Sequence, residues 1–191
     1  PAPLPVALID PTSPFRGGLS QPTATFARQL ARYGAHVLLV SFSEGYPRWL
    51  FPGRSDRDPS AETVQAPAEY LLSPFRPWTW LRAARRIAAF RPDVVALQWW
   101  VPFWAPSFGA TLRRIRHRCP ATVVAVCHNV APHEGAGRLS RWLTRWALGP
   151  CDAYLVHSRT DETRIRRLAP DAAVVRSTLP GMDLGPRRER Q

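Results

Sequence analysis

The feature that most constrains this chain is the recurrence of short apolar runs, each followed by a segment whose apolar residues return every three or four positions. The clear runs are Val6-Ala7-Leu8-Ile9-Asp10, His36-Val37-Leu38-Leu39-Val40-Ser41-Phe42 and Val94-Val95-Ala96-Leu97-Gln98-Trp99. Thr122-Val123-Val124-Ala125-Val126-Cys127, Ala153-Tyr154-Leu155-Val156-His157 and Ala173-Val174-Val175-Arg176 follow. Runs that do not alternate apolar with polar predict strands covered on both faces, as in a parallel sheet. A further short strand is expected near Glu62-Thr63-Val64-Gln65, inside the Pro-, Gly-, Asp- and Ser-rich stretch 44–76. A first helix is expected from Ser20, with Phe26, Leu30 and Tyr33 on its apolar face and Gly34 as its stop. A second, over 77–90, sets Trp80, Leu81, Ala84, Ile87 and Ala88 opposite Arg82, Arg85 and Arg86. Others are expected over 107–118 and 139–148, and from the Ser158/Asp161 capping pair through Leu168. The pattern predicts an α/β fold, a Rossmann-like open and mostly parallel sheet with helices on both faces. One such domain is expected over residues 1–178, with 179–191 as a tail.

Charge speaks to partners rather than to fold. The formal net charge is +12, carried by arginine alone because there is no lysine. Residues 1–75 hold six Arg against six acids, whereas residues 76–191 hold twenty against eight, so the whole excess lies in the second part. That asymmetry fits an anionic partner, such as a phosphate, a lipid surface or a nucleic acid, and equally a general preference for arginine over lysine. Nucleic-acid binding lacks a recognisable motif, and the aromatics are not interleaved with the basic residues as a strand-binding groove needs. No apolar run is long enough to span a bilayer. Cys119, Cys127 and Cys151 form no C-x-x-C pair and are odd in number, which fits a reducing, cytoplasmic setting better than a disulfide framework.

In open parallel sheets, ligands bind at the carboxyl ends of the strands, near the switch in strand order. Three segments stand at such ends. Pro14-Phe15-Arg16-Gly17-Gly18 precedes the first helix, where two glycines let a backbone approach a ligand and the helix start favours an anion. A plain tight turn would use the same glycines, and the spacing is neither the dinucleotide nor the P-loop signature. Gln98-Trp99-Trp100-Val101-Pro102-Phe103-Trp104 puts four aromatics at a strand end, where alternation lets at most half point into the core. Trp99 and Trp100 are thus candidates to stack on a sugar or hold a lipid chain, against the alternative of packing on helices. Cys127-His128-Asn129-Val130-Ala131-Pro132-His133-Glu134 sets two His, an Asn and a Glu in one loop, types that serve as general base or hydrogen-bond donor. A metal site is poorly supported, since no helix sets the His spacing.

The Pro14-to-Gly18 segment, Arg91-Pro92-Asp93-Val94-Val95 and the His128-Asn129-x-x-Pro132-His133-Glu134 loop resemble family 4-type GT-B glycosyltransferases. So do Cys151-Asp152-Ala153-Tyr154-Leu155-Val156-His157-Ser158 and Leu179-Pro180-Gly181-Met182-Asp183, the five standing in the family's order over residues 6–183. The resemblance implies the N-terminal, acceptor-side half of a retaining enzyme that uses a nucleotide-sugar donor and no metal or other cofactor. It implies that Gly17 and Gly18 approach the donor pyrophosphate and that His128 lines the reaction centre as the catalytic residue. Arg16, Trp99, Trp100, Asn129, His133 and Glu134 are then the substrate-binding candidates. The family's donor-binding residues belong to a C-terminal domain that has no counterpart here, so the expected partners are that domain or a separate donor chain, and a glycan or lipid-linked acceptor. The Trp- and Arg-bearing helix at 77–90 adds an anionic membrane surface as an expected partner, with the chain at the inner face of the membrane. The competing expectation is a non-catalytic carbohydrate- or glycolipid-binding module.

Overall fold

The structure, a computed structural model, describes residues 2–10, 12, 20–44, 67–130 and 137–177. Its strands are β1 (Pro5–Ile9), β2 (His36–Phe42), β3 (Glu69–Leu72), β4 (Val94–Trp99), β5 (Thr122–Cys127), β6 (Ala153–Val156) and β7 (Ala173–Arg176). Its helices are α1 (Ser20–Arg32), α2 (Pro77–Phe90), α3 (Ala105–Arg116), α4 (Arg138–Leu148) and α5 (Arg159–Leu168), with one 3-10 turn at Pro102–Trp104. All seven strands form one sheet in the order β3-β2-β1-β4-β5-β6-β7, and every neighbouring pair is parallel.

From β1 the chain walks outward through β2 to β3, then returns past β1 and walks the other way from β4 to β7. Right-handed crossovers put the connections of the two walks on opposite faces. The core follows that rule. Ala27 and Leu30 of α1 pack with Val6, Leu8, Leu39 and Ala96 on one face. On the other, Ile87, Phe108, Leu112, Leu148 and Ile165 of α2 to α5 pack with Ala7, Ile9, Leu97, Ala125 and Val156. Along β1 and β4 the two sets alternate residue by residue, the period of two that a strand imposes.

Most expected elements stand within two residues of their sequence positions, and three details differ. The expected strand at 62–65 lies outside the described residues, and the strand paired with β2 is Glu69–Leu72. α3 starts at Ala105, two residues early, because Pro106 tolerates the first turn of a helix. α1 buries Thr23, Ala24 and Ala27, while Phe26 is exposed and Tyr33 is 89% exposed. Small side chains let this helix lie close on the sheet, and an aromatic stripe would hold it away. Gly34 ends α1 at φ 85° and Arg91 ends α2 at φ 53°, the left-handed conformation of a helix stop. All three cysteines are free.

α3 and α4 approach so closely that a Cβ on Gly109 would collide with the Trp146 indole and lie 2.9 Å from Arg113 Nη1. Arg113 joins the helices, stacking 3.7 Å from the Trp146 ring centroid and donating to the carbonyls of Gly109 (2.9 Å) and Trp146 (2.8 Å). Gly109→Ala gains about 1 kcal/mol of helix propensity. Overpacking costs about 1–3 kcal/mol, and the collision involves a ring held by Arg113 and stacked on Trp142. The collision therefore wins, and thermal unfolding of Gly109→Ala should show a lower Tm.

Candidate functional site

The switch between β1 and β4 decides where polar side chains can gather. Ile9, Cys127 and Val156 close their strands, and Leu97 precedes Gln98 within β4, all four with side chains in the α2–α5 core. The neighbours Asp10, Gln98, His128 and His157 accordingly fall on the α1 face, at the carboxyl edge of the sheet. Asp10 is buried there and accepts a hydrogen bond from the Thr23 hydroxyl of α1. Its backbone N–H bonds the Val40 carbonyl (3.1 Å), and the Thr12 N–H donates to Ser41 Oγ (3.0 Å), joining the β1 and β2 ends. Burial raises the Asp10 carboxyl well above the usual carboxylate range, outweighing the hydrogen bond from Thr23 that lowers it.

His128 is the centre of the row. Its backbone N–H bonds the Trp99 carbonyl (2.9 Å), continuing the β4–β5 ladder beyond β5. Its Nε2 lies 2.5 Å from Gln98 Oε1, an atom that can only accept, so Nε2 carries the proton and Nδ1 keeps a lone pair. His157 lies beside it, the ring centroids 5.2 Å apart. Its Nδ1 donates to the Ser177 carbonyl (3.0 Å), which leaves a lone pair on Nε2. Burial, and next the neighbouring His157, push the His128 imidazole down to about 4. Two imidazoles therefore stand at adjacent strand ends, each with one ring nitrogen committed to a carbonyl oxygen. The strand that leaves His128 is anchored in turn: the Val130 N–H donates to Asp161 Oδ1 (3.3 Å), and Ser158 caps α5 through the Asp161 N–H (3.0 Å).

The other expected site residues divide. Arg16, Gly17, Gly18, His133 and Glu134 lie outside the described residues. Asn129 follows His128 and is half-buried. Trp99 is fully buried on the α2–α5 face, beside Phe108 at 6.4 Å between ring centroids, so it packs the core and presents no surface to a ligand. Trp100 is half-buried, edge-on to Phe42 (6.4 Å) and Phe108 (5.9 Å). Gln98 and His157 were not singled out by sequence reasoning. The signal available was parity: each is a polar residue one step beyond a core-facing strand residue. Among the described residues no three His, Cys, Asp or Glu side chains gather as a metal site would require. Hollows of about 290 and 350 Å³ open at the opposite, amino edge, beside Arg116, Asp152, Gly149 and Pro150.

The protonation states predict a titration. The unfolded chain takes up a proton at His128 near pH 6.5, whereas the folded chain does so only near 4. Stability is therefore full above pH 6.5 and falls as the pH drops through that window. NMR titration of the ring should give a midpoint near 4, and His157→Asn should raise it by removing the neighbouring imidazole that opposes protonation of His128. His128→Gln should lose less stability than the native chain between those pH values.

The sequence profile of Glycosyltransferase Family 4 matches residues 16–184. No curated protein matches the sequence. Among solved structures, an alpha-glucosyltransferase in complex with UDP and a 13-mer DNA containing an HMU base superposes with a TM-score of 0.58 at 12% identity. The match covers 92% of this chain and 42% of that one, so this chain spans less than half of that protein's length. Sucrose-phosphate synthase from Thermosynechococcus elongatus superposes with a TM-score of 0.52 at 13% identity, over 93% of this chain and 90% of that chain.

Proposed function

Because the chain belongs to glycosyltransferase family 4 and has the Rossmann-like sheet of a GT-B domain, we propose that it is the acceptor-side half of a retaining glycosyltransferase. The donor is a nucleotide sugar, and its nucleotide is held by a second domain or a separate chain. The carrying observation is His128, kept neutral by burial and held by Gln98 at the carboxyl edge of the sheet. A neutral imidazole with one free lone pair can accept a hydrogen bond from an acceptor hydroxyl without placing a positive charge beside the forming glycosidic bond. His157 stands next to it, its Nδ1 bonded to the Ser177 carbonyl. Gly17 and Gly18 face the donor pyrophosphate in this reading, with Arg16 beside them. Asn129, His133 and Glu134 bind the acceptor in this reading, and no metal takes part. Trp100, half-buried, keeps some surface for the acceptor, a role that burial removes from Trp99.

Half of a two-domain site binds one substrate and positions nothing against it, so most of the rate is lost with the second domain. The test is an assay of the chain alone, and of the chain followed by a family 4 donor-binding domain, against nucleotide sugars and simple acceptors. Transfer should appear only with the donor domain present, and His128→Ala should then lower kcat by about 10²–10⁴-fold. Turnover by the isolated chain would overturn the half-enzyme reading. Sugar binding that persists with no transfer, even with the donor domain supplied, would make the chain a binding module instead.

A further inference from the structure

The helical layer opposite α1 carries an unusual combination of charge and exposed apolar surface. α2, α3 and α4 contain three arginines each and no Asp or Glu. Arg86 is paired with Glu69 and Arg116 with Asp152, and Arg113 lies over Trp146. Arg82, Arg85, Arg114, Arg138, Arg141 and Arg145 meet no carboxylate among the described residues. Large apolar side chains are exposed on the same layer: Trp78 at 67% and Phe75 at 56% around the start of α2, Leu139 at 68% and Trp142 at 59% in the first turns of α4.

These positions share one end of the layer. A helix that joins parallel strands runs antiparallel to them, so α2, α3 and α4 all start at the carboxyl edge. α2 and α4 flank α3 on its two sides. Phe75 packs edge-on to Phe103 (5.5 Å), Phe103 to Trp104 (5.4 Å), and the 3-10 turn that bears them lies against α4. The apolar positions thus rim the edge that holds His128, with Arg82, Arg138 and Arg141 around them.

We propose that this rim docks on an anionic lipid bilayer. Aromatic rings are favoured at the headgroup level, and arginines near the surface are drawn to anionic phosphates. A duplex or strand of nucleic acid would use the arginines but leave Leu139 and Phe75 in water. A second copy of the chain would set unpaired arginines against one another, which like-charge repulsion opposes. The bilayer satisfies both components. It would also bring a lipid-linked acceptor to the edge that carries His128. That consequence rests on the proposed glycosyl transfer, whereas the docking itself does not.

The test is co-sedimentation of the full chain with phosphatidylcholine vesicles, with and without phosphatidylglycerol, at low and high salt. Binding should require phosphatidylglycerol and weaken with salt. Trp78→Ala with Trp142→Ala should weaken it about tenfold, as should Arg138→Glu with Arg141→Glu. Arg114→Glu, at the far end of α3, should change it less than about twofold. The substituted side chains are exposed, and circular dichroism checks that each variant is folded. Equal binding to pure phosphatidylcholine, or binding to neither vesicle, would overturn the proposal. So would duplex DNA binding that the Arg variants abolish while vesicles are ignored, or a dimer dissolved by the Trp variants without vesicle binding.

Discussion

The structure depends on one constraint, the right-handed crossover between parallel strands. Because β1 lies inside the sheet and the chain leaves it first toward β3 and later toward β7, the two walks place their helices on opposite faces. Every strand then points its carboxyl end at the same edge. The parity of the last strand residue decides which face receives the next side chain. Ile9, Cys127 and Val156 end their strands facing the α2–α5 core, and Leu97 faces it within β4, so Asp10, Gln98, His128 and His157 share the α1 face. The polar row is a geometric consequence of where four apolar runs stop.

Burial gives that row its electrical character. Asp10 is buried and His128 half-buried, and in each case desolvation is the largest influence on the proton. Both groups are driven toward their uncharged forms, the acid by holding its proton and the base by losing it. The edge is therefore polar without being strongly charged, which suits a ligand rich in hydroxyls. Among the described residues the arginines of α2, α3 and α4 stand on the outer helical layer, and they speak to the surroundings of the domain.

Much of the fold was legible because the constraint acts on single-residue patterns. β4, β5 and β7 coincide with their apolar runs, and the Ser158–Asp161 pair caps α5 as its spacing suggests. β3 was hidden because Glu69-Tyr70-Leu71-Leu72 is too short to separate from the irregular stretch around it. On α1, the eye follows Phe26 and Tyr33, but close packing on a sheet selects Thr23, Ala24 and Ala27, whose small size leaves little mark in a hydrophobicity pattern. At the site, the polar break after an apolar run made His128 conspicuous. Trp99 was misplaced because an aromatic at a strand end has no parity of its own until the register is known, and here it shares the face of Val95 and Leu97. His157 was read as the close of a strand, since its neighbour across the edge is distant in sequence.

The central claim is that sugar is recognised on the α1 face of the carboxyl edge. Chemical-shift mapping of the isotopically labelled chain against methyl glycosides of several hexoses tests it most directly. The account predicts that Asp10, Gln98, His128, Asn129 and His157 shift together, with the His128 ring still neutral. Shifts confined to the amino edge, around Arg116, Asp152 and Pro150, would contradict it.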